Sequence, residues 1–133
     1  TGTARGFECY PAPPGRENHA ISYDLALCIT EQMAAAGNHL RGIQGIRYGY
    51  YVTGEGGESQ KVIKEASDTT IYAQPSFGMV EGVSCAAVLA EQCFVTNLED
   101  VEAFGSDTGC AIAAEAYYKA ICSYLQIEEM PLQ

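Results

Sequence analysis

The stretch "SCAAVLAEQCFVTN", residues 84–97, decides the fold. From Cys85 to Val95 it is almost continuously apolar, and it reads as a strand of about Ala86 to Val95 buried on both faces. One carboxylate, Glu91, is set into the run. An unpaired charge in such a strand is costly. Glu91 must therefore pair with an arginine or backbone donors, or serve as an acid/base group whose pKa burial raises. Near the carboxyl end of its strand, where open α/β sheets place their ligands, the second role fits.

The flanking segments supply the other layers. "GFECYP" opens a strand from Gly6 to about Tyr10, which Pro11, Pro13 and Pro14 end because each lacks a ladder donor. Asn18 is placed to cap a helix whose apolar stripe is Ile21, Leu25, Cys28, Ile29 and Met33, with Gly37-Asn38 as its stop. Ile46 to Thr53 is aromatic and β-branched, a second strand. Residues 54–68 are polar and glycine-rich and read as an exposed loop with a helical turn near Lys61–Ala66. "TTIYA" adds a short strand, and "QPSFGMVEG" is a loop with turn signals at Pro75 and Gly78. After the apolar run, Asn97 caps a short helix with Glu99 and Asp100 in its first turn. Asp107 begins a longer helix with Ala113, Ala116, Tyr117, Ala120, Ile121 and Tyr124 inward. The order predicts one α/β domain over residues 1–133, with a thin, mixed or mostly parallel sheet flanked by helices.

Composition narrows the partners. Seven basic residues face seventeen acidic ones, a net charge of −10, so the basic stripe of a nucleic-acid binder is missing. No apolar run approaches the roughly 20 residues of a membrane span, and no signal peptide opens the chain. The six cysteines, Cys9, Cys28, Cys85, Cys93, Cys110 and Cys122, include no C-x-x-C pair and read as small buried hydrophobes of a chain made in a reducing cell. His19 and His39 fit no metal-ligand spacing and read as surface residues. Tyr48, Tyr50 and Tyr51 could line a glycan groove, although alternating tyrosines on a strand more often pack. "GEGGESQK" lacks the spacing of a phosphate loop, and Cys93 reads as core filler.

Four blocks carry a resemblance. "AVLAEQCFVTNLED" (87–100) resembles the "VLVExGFxSNxxD" block of the zinc-dependent N-acetylmuramoyl-L-alanine amidases of the amidase-3 type. "GFECYP" (6–11) is similar to that family's "GxExYY" strand, "SYDLALCITEQM" (22–33) to its "SxxLAxxI" helix, and "LRGIQ" (40–44) to its "NRGIK" turn. All four occur in the family's order. The departures are "LAEQCF" for "LVExGF", "HLRGIQ" for "NRGIK", and the long 54–82 stretch.

The resemblance implies a phosphorylase/hydrolase-like amidase fold and a peptidoglycan hydrolase that cleaves the amide between N-acetylmuramic acid and L-alanine. Zinc would activate the water, and Glu91 would be the general acid/base. Glu8, Arg41 and Asn97 fall at matched positions and are implied as cleft or supporting residues. The family's zinc ligands, two histidines and a glutamate, lie in blocks that precede "GxExYY" and are not among these residues, so the chain has no metal ligands of its own. It reads as the carboxyl-terminal half of such a domain, inactive alone. Its location would be extracellular at the cell wall, or cytoplasmic synthesis as a phage endolysin. A sheet edge left open favours a homo-oligomer. The other reading is a non-catalytic peptidoglycan- or partner-binding module.

Overall fold

The computed structural model of the chain describes residues 3–131. Strand β1, Glu8–Pro11, is four residues long, because the following prolines remove donors and turn the chain. Helix α1 spans His19–Ala35. Strands β2, Arg47–Thr53, and β3, Ser59–Glu65, form an antiparallel hairpin. Strand β4, Val88–Glu91, returns antiparallel to β1. A one-turn helix α2, Leu98–Asp100, runs into a π-helical turn, Val101–Gly105, and α3 spans Asp107–Leu125.

The mixed or mostly parallel sheet expected from the sequence is not formed. Among the described residues the fold is mixed α/β with two small antiparallel sheets, β1-β4 and β2-β3, and three helices. β1 meets the segment before β2 at two isolated parallel bridges, Phe7 with Leu40 and Cys9 with Ile46. Two constraints explain the difference. A strand is only as long as its partner, and β1 ends at Pro11, so the ten-residue run of 86–95 pairs over four residues. Past Glu91 the backbone turns to side-chain partners: Asn38 Nδ2 donates to the Gln92 carbonyl and Gln92 Nε2 to the Phe104 carbonyl. β4 is half-buried rather than covered on both faces.

The segment read as a loop, 54–68, is largely β3. Gly54 N–H donates to the Glu58 carbonyl and Gly57 N–H to the Gly54 carbonyl, which closes the hairpin turn. The "TTIYA" segment is irregular, as is most of 66–87. That long connection is held by two side chains ahead of α1. Arg16 donates to the carbonyls of Tyr72 and Gln74 at 2.7 and 2.6 Å and to Glu81 Oε1. Asn18, expected as a helix cap, makes no cap bond. Its amide donates instead to the carbonyls of Val80 and Cys85.

Alternation along β1 separates two faces. Phe7 and Cys9 join the core with Ala26, Ile29 and Met33 of α1 and Ala113, Ala116 and Ala120 of α3. Tyr48 and Tyr50 belong to that core, and Tyr50 also borders a 200 Å³ concavity with Val62 and Tyr72. Small residues let the helices approach closely. A side chain at Gly109 would collide with the Ala103 carbonyl. Ile21 and Ile121, expected inward, are exposed, while Ser22 and Cys122 are buried. All six cysteines are free; Cys9 and Cys122 are buried as expected, but Cys85 and Cys110 are exposed. No helix of the described residues is long and apolar enough to cross a membrane.

Asp100 locks β1 to the end of β4. Its Oδ2 accepts from Gly6 N at 2.6 Å and Phe94 N at 3.0 Å, and its own N–H is capped by Asn97. Asp100→Ala strands two backbone donors, and urea unfolding is expected to show a loss of roughly 2–4 kcal/mol.

Candidate functional site

On the face of β1 away from the helices stand Glu8 and Tyr10. Register places Glu8 directly opposite Glu91, the last residue of β4. Like charges directly opposite in a ladder repel, so the pair needs compensation. Three sources provide it. Arg41, from the turn before β2, donates Nη1 to Glu8 Oε1 at 2.8 Å. Arg47, the first residue of β2, donates Nη1 to Glu8 Oε2 at 2.8 Å. Tyr10, two residues on along the same face, acts on Glu8 in the same sense, favouring its ionised form. Glu8 is 1 % exposed. Each oxygen of the carboxylate thus accepts from one guanidinium.

The surroundings extend the network. Arg47 Nε lies 3.0 Å from Glu65 Oε1 on β3, an ion pair without hydrogen-bond alignment. The Arg41 guanidinium covers the Phe94 ring at 4.7 Å. Tyr10 meets Phe77 edge-on at 5.2 Å, Phe77 meets Tyr51 at 5.7 Å, and the Lys61 ammonium lies 5.8 Å from the Phe77 ring. Phe77 rests over Gly49, where a Cβ would come within 2.5 Å of the ring.

The two carboxyls are pushed apart. Burial raises Glu91, and the hydrogen bond and charge of Glu8 raise it further, against the weaker pull of Lys61 and Arg41. Burial also pushes Glu8 upward, but hydrogen bonds from Arg47, Glu91 and Tyr10 and the charge of Arg41 hold it below the ordinary value. Glu91 therefore binds a proton more readily than Glu8 does. Burial and the Glu8 charge lift the Cys9 thiol to about 12, and Cys93 is raised by burial, so neither is a ready nucleophile.

Glu8, Arg41 and Glu91 are therefore brought together from positions far apart in the chain. Asn97 sits at the N-terminus of α2, where its side chain accepts from Asp100 N at 3.2 Å. Reading the sequence alone missed Arg47, Tyr10, Lys61 and Glu65. The last two were hidden by taking 54–68 as a loop; the β-branched pair Val62-Ile63 after a glycine-rich turn was the available signal. The face is open rather than pocket-like. A 330 Å³ concavity beside Tyr118 and Met130 and a 180 Å³ one between α1 and α3 are both lined by other residues.

The zinc that the resemblance implies does not fit the described residues. None of their histidine, cysteine, aspartate and glutamate side chains gather in threes as a metal site would require. His19 Nδ1 lies 2.8 Å from the Ala12 carbonyl, between Tyr23 and Tyr48, and His39 is exposed. The chain matches no protein-family model, and no curated protein matches it.

The pair makes stability pH-dependent. Glu8, held below 4.5, adds stability above that pH and loses it as pH falls through its lowered value. Glu91, held above 4.5, adds stability below that pH and loses it as pH rises through its raised value. The contribution of the pair peaks near 4.5. Calorimetry at neutral pH is expected to show Glu91→Gln raising Tm by on the order of 2 °C, since the amide keeps a donor toward Glu8 without the charge. Glu8→Ala leaves two arginines without their partner and is expected to cost roughly 3 kcal/mol.

Proposed function

We propose that this chain supplies the acid/base half of a peptidoglycan amidase, with Glu91 as the proton-transferring carboxyl. One observation carries the reading. Three blocks that resemble the amidase-3 family, "GFECYP", "LRGIQ" and "AVLAEQCFVTNLED", meet here: Arg41 donates to Glu8, and Glu8 faces Glu91 in the ladder. Glu91 takes a proton from the water that attacks the muramoyl–L-alanine carbonyl and delivers it to the leaving amine nitrogen. The carboxylate is regenerated with each turnover. Half-exposed Tyr51 and Phe77 beside the pair offer a surface for the sugar-peptide substrate. The setting is the cell wall, reached by an autolysin or a phage endolysin.

Metal chemistry has to come from residues other than those described here, so the chain alone is inactive in this reading. The test joins the chain to the zinc-binding part of an amidase of this type and measures muramoyl-peptide cleavage. Glu91→Gln is expected to lower kcat about 10²–10⁴-fold with little change in KM. A peptidoglycan-binding module is the second reading, favoured by the lack of a ligand set among the described residues. It would show cleavage absent from the joined protein and calorimetric affinity for muramoyl-peptide that changes with Glu91→Gln.

The outer edge of β4 has no partner strand among the described residues, since β1 occupies the other edge. In the same reading this edge pairs with another strand, giving a homodimer of the isolated chain. Light scattering is expected to show mass rising with concentration; a monomer throughout would remove the pairing.

A further inference from the structure

The two carboxyls of the pair are not equivalent in geometry. Glu8 is buried on β1 with both oxygens fixed by arginines, while Glu91 closes the shorter free end of β4 and is half-exposed. Arg47 is itself anchored against Glu65, and Arg41 against Phe94, so the donors on Glu8 are held from behind. With each oxygen bonded to a guanidinium, Glu8 is held as an anion. It stands directly opposite Glu91 in the ladder.

Resting on the acid/base reading above, we propose that Glu8 is a positioning residue: an anion fixed by Arg41 and Arg47 directly opposite Glu91, which orients the Glu91 carboxylate to receive a proton. The proton involved leaves a water oxygen for Glu91 and passes to the leaving nitrogen; Glu8 exchanges none. Facing the pair are Tyr10 on β1, Arg41 on the turn, Arg47 on β2, and Lys61 on β3, with Glu65 acting through Arg47. Cys9 lies on the opposite face of β1 and feels the Glu8 charge. Of these, only Glu8 drives Glu91 toward its protonated form by contact, and Arg41 and Lys61 oppose it.

The experiment is an NMR titration of the chain as it stands, with glutamate carboxyls labelled with ¹³C. Glu8 is expected to titrate below 4.5 and Glu91 above it. Glu8→Gln should bring Glu91 down, because the contribution of Glu8 is lost and Arg41 and Lys61 then act against burial alone. Glu8→Asp should keep Glu91 high, a rescue that loss of packing would not produce. Arg41→Gln, which leaves Glu8 in place, should move Glu91 further up and serves if Glu8→Gln does not fold. A wild-type Glu91 that titrates at or below 4.5, or one indifferent to these variants, overturns the proposal. The outcomes separate from those of the amidase reading. Cleavage absent with this titration intact removes only the amidase, and cleavage present with an ordinary Glu91 removes only the role of Glu8.

Discussion

The carboxylate of Glu8 is the constraint on which the rest depends. It sits at 1 % exposure on a four-residue strand, and it is tolerable there only because two guanidinium groups reach it from separate places. Those contacts dictate that the 40–44 turn pass beside β1 and that β2 begin at Arg47. Arg47 in turn reaches Glu65 at the far end of β3, so the hairpin is tied to β1 at its open end. The isolated parallel bridges at Leu40 and Ile46 look like fragments of a sheet, but charge rather than a continuous ladder joins its halves.

β4 is fixed by the same group and by two others. Side-chain period along a strand is two, so a slip of one residue would carry Glu91 to the helix face and strand it among apolar groups. Asp100 prevents that slip from one end by gripping Gly6 and Phe94 together. Ser22 and Asn18 hold the other end, accepting from Ala87 N and donating to the Cys85 carbonyl. A long irregular segment enters β4, yet the strand arrives in register because polar side chains of the 16–22 region set its path.

Much of this was legible in the sequence and some was not. α1 and α3 were readable because Ile29, Met33, Ala113, Ala116 and Ala120 repeat at helical spacing and do face the core. The apolar 86–95 run was misread because continuous hydrophobicity signals burial but not pairing length, and length is set by a partner that prolines cut short. β3 was hidden because its first three residues, Ser59, Gln60 and Lys61, are polar and exposed and follow a glycine-rich turn, which resembles a loop. Glu8 and Glu91 stood out singly. That they oppose each other follows from an antiparallel register between residues 8 and 91, and no local pattern encodes a pairing across that separation.

The cost of this arrangement bears on its purpose. Two glutamates at opposed ladder positions repel, and the chain offsets that by drawing three of its seven basic side chains, Arg41, Arg47 and Lys61, toward them. A glutamine at position 91 would satisfy Glu8 with an amide donor and carry no charge to desolvate. Structure alone therefore favours glutamine, and above 4.5 the carboxyl weakens the fold it belongs to. What a carboxyl has that an amide lacks is a proton that can leave and return. In the proposed reading, a carboxyl that faces a fixed anion at a half-exposed strand end is kept for the proton it can exchange rather than as a cross-link.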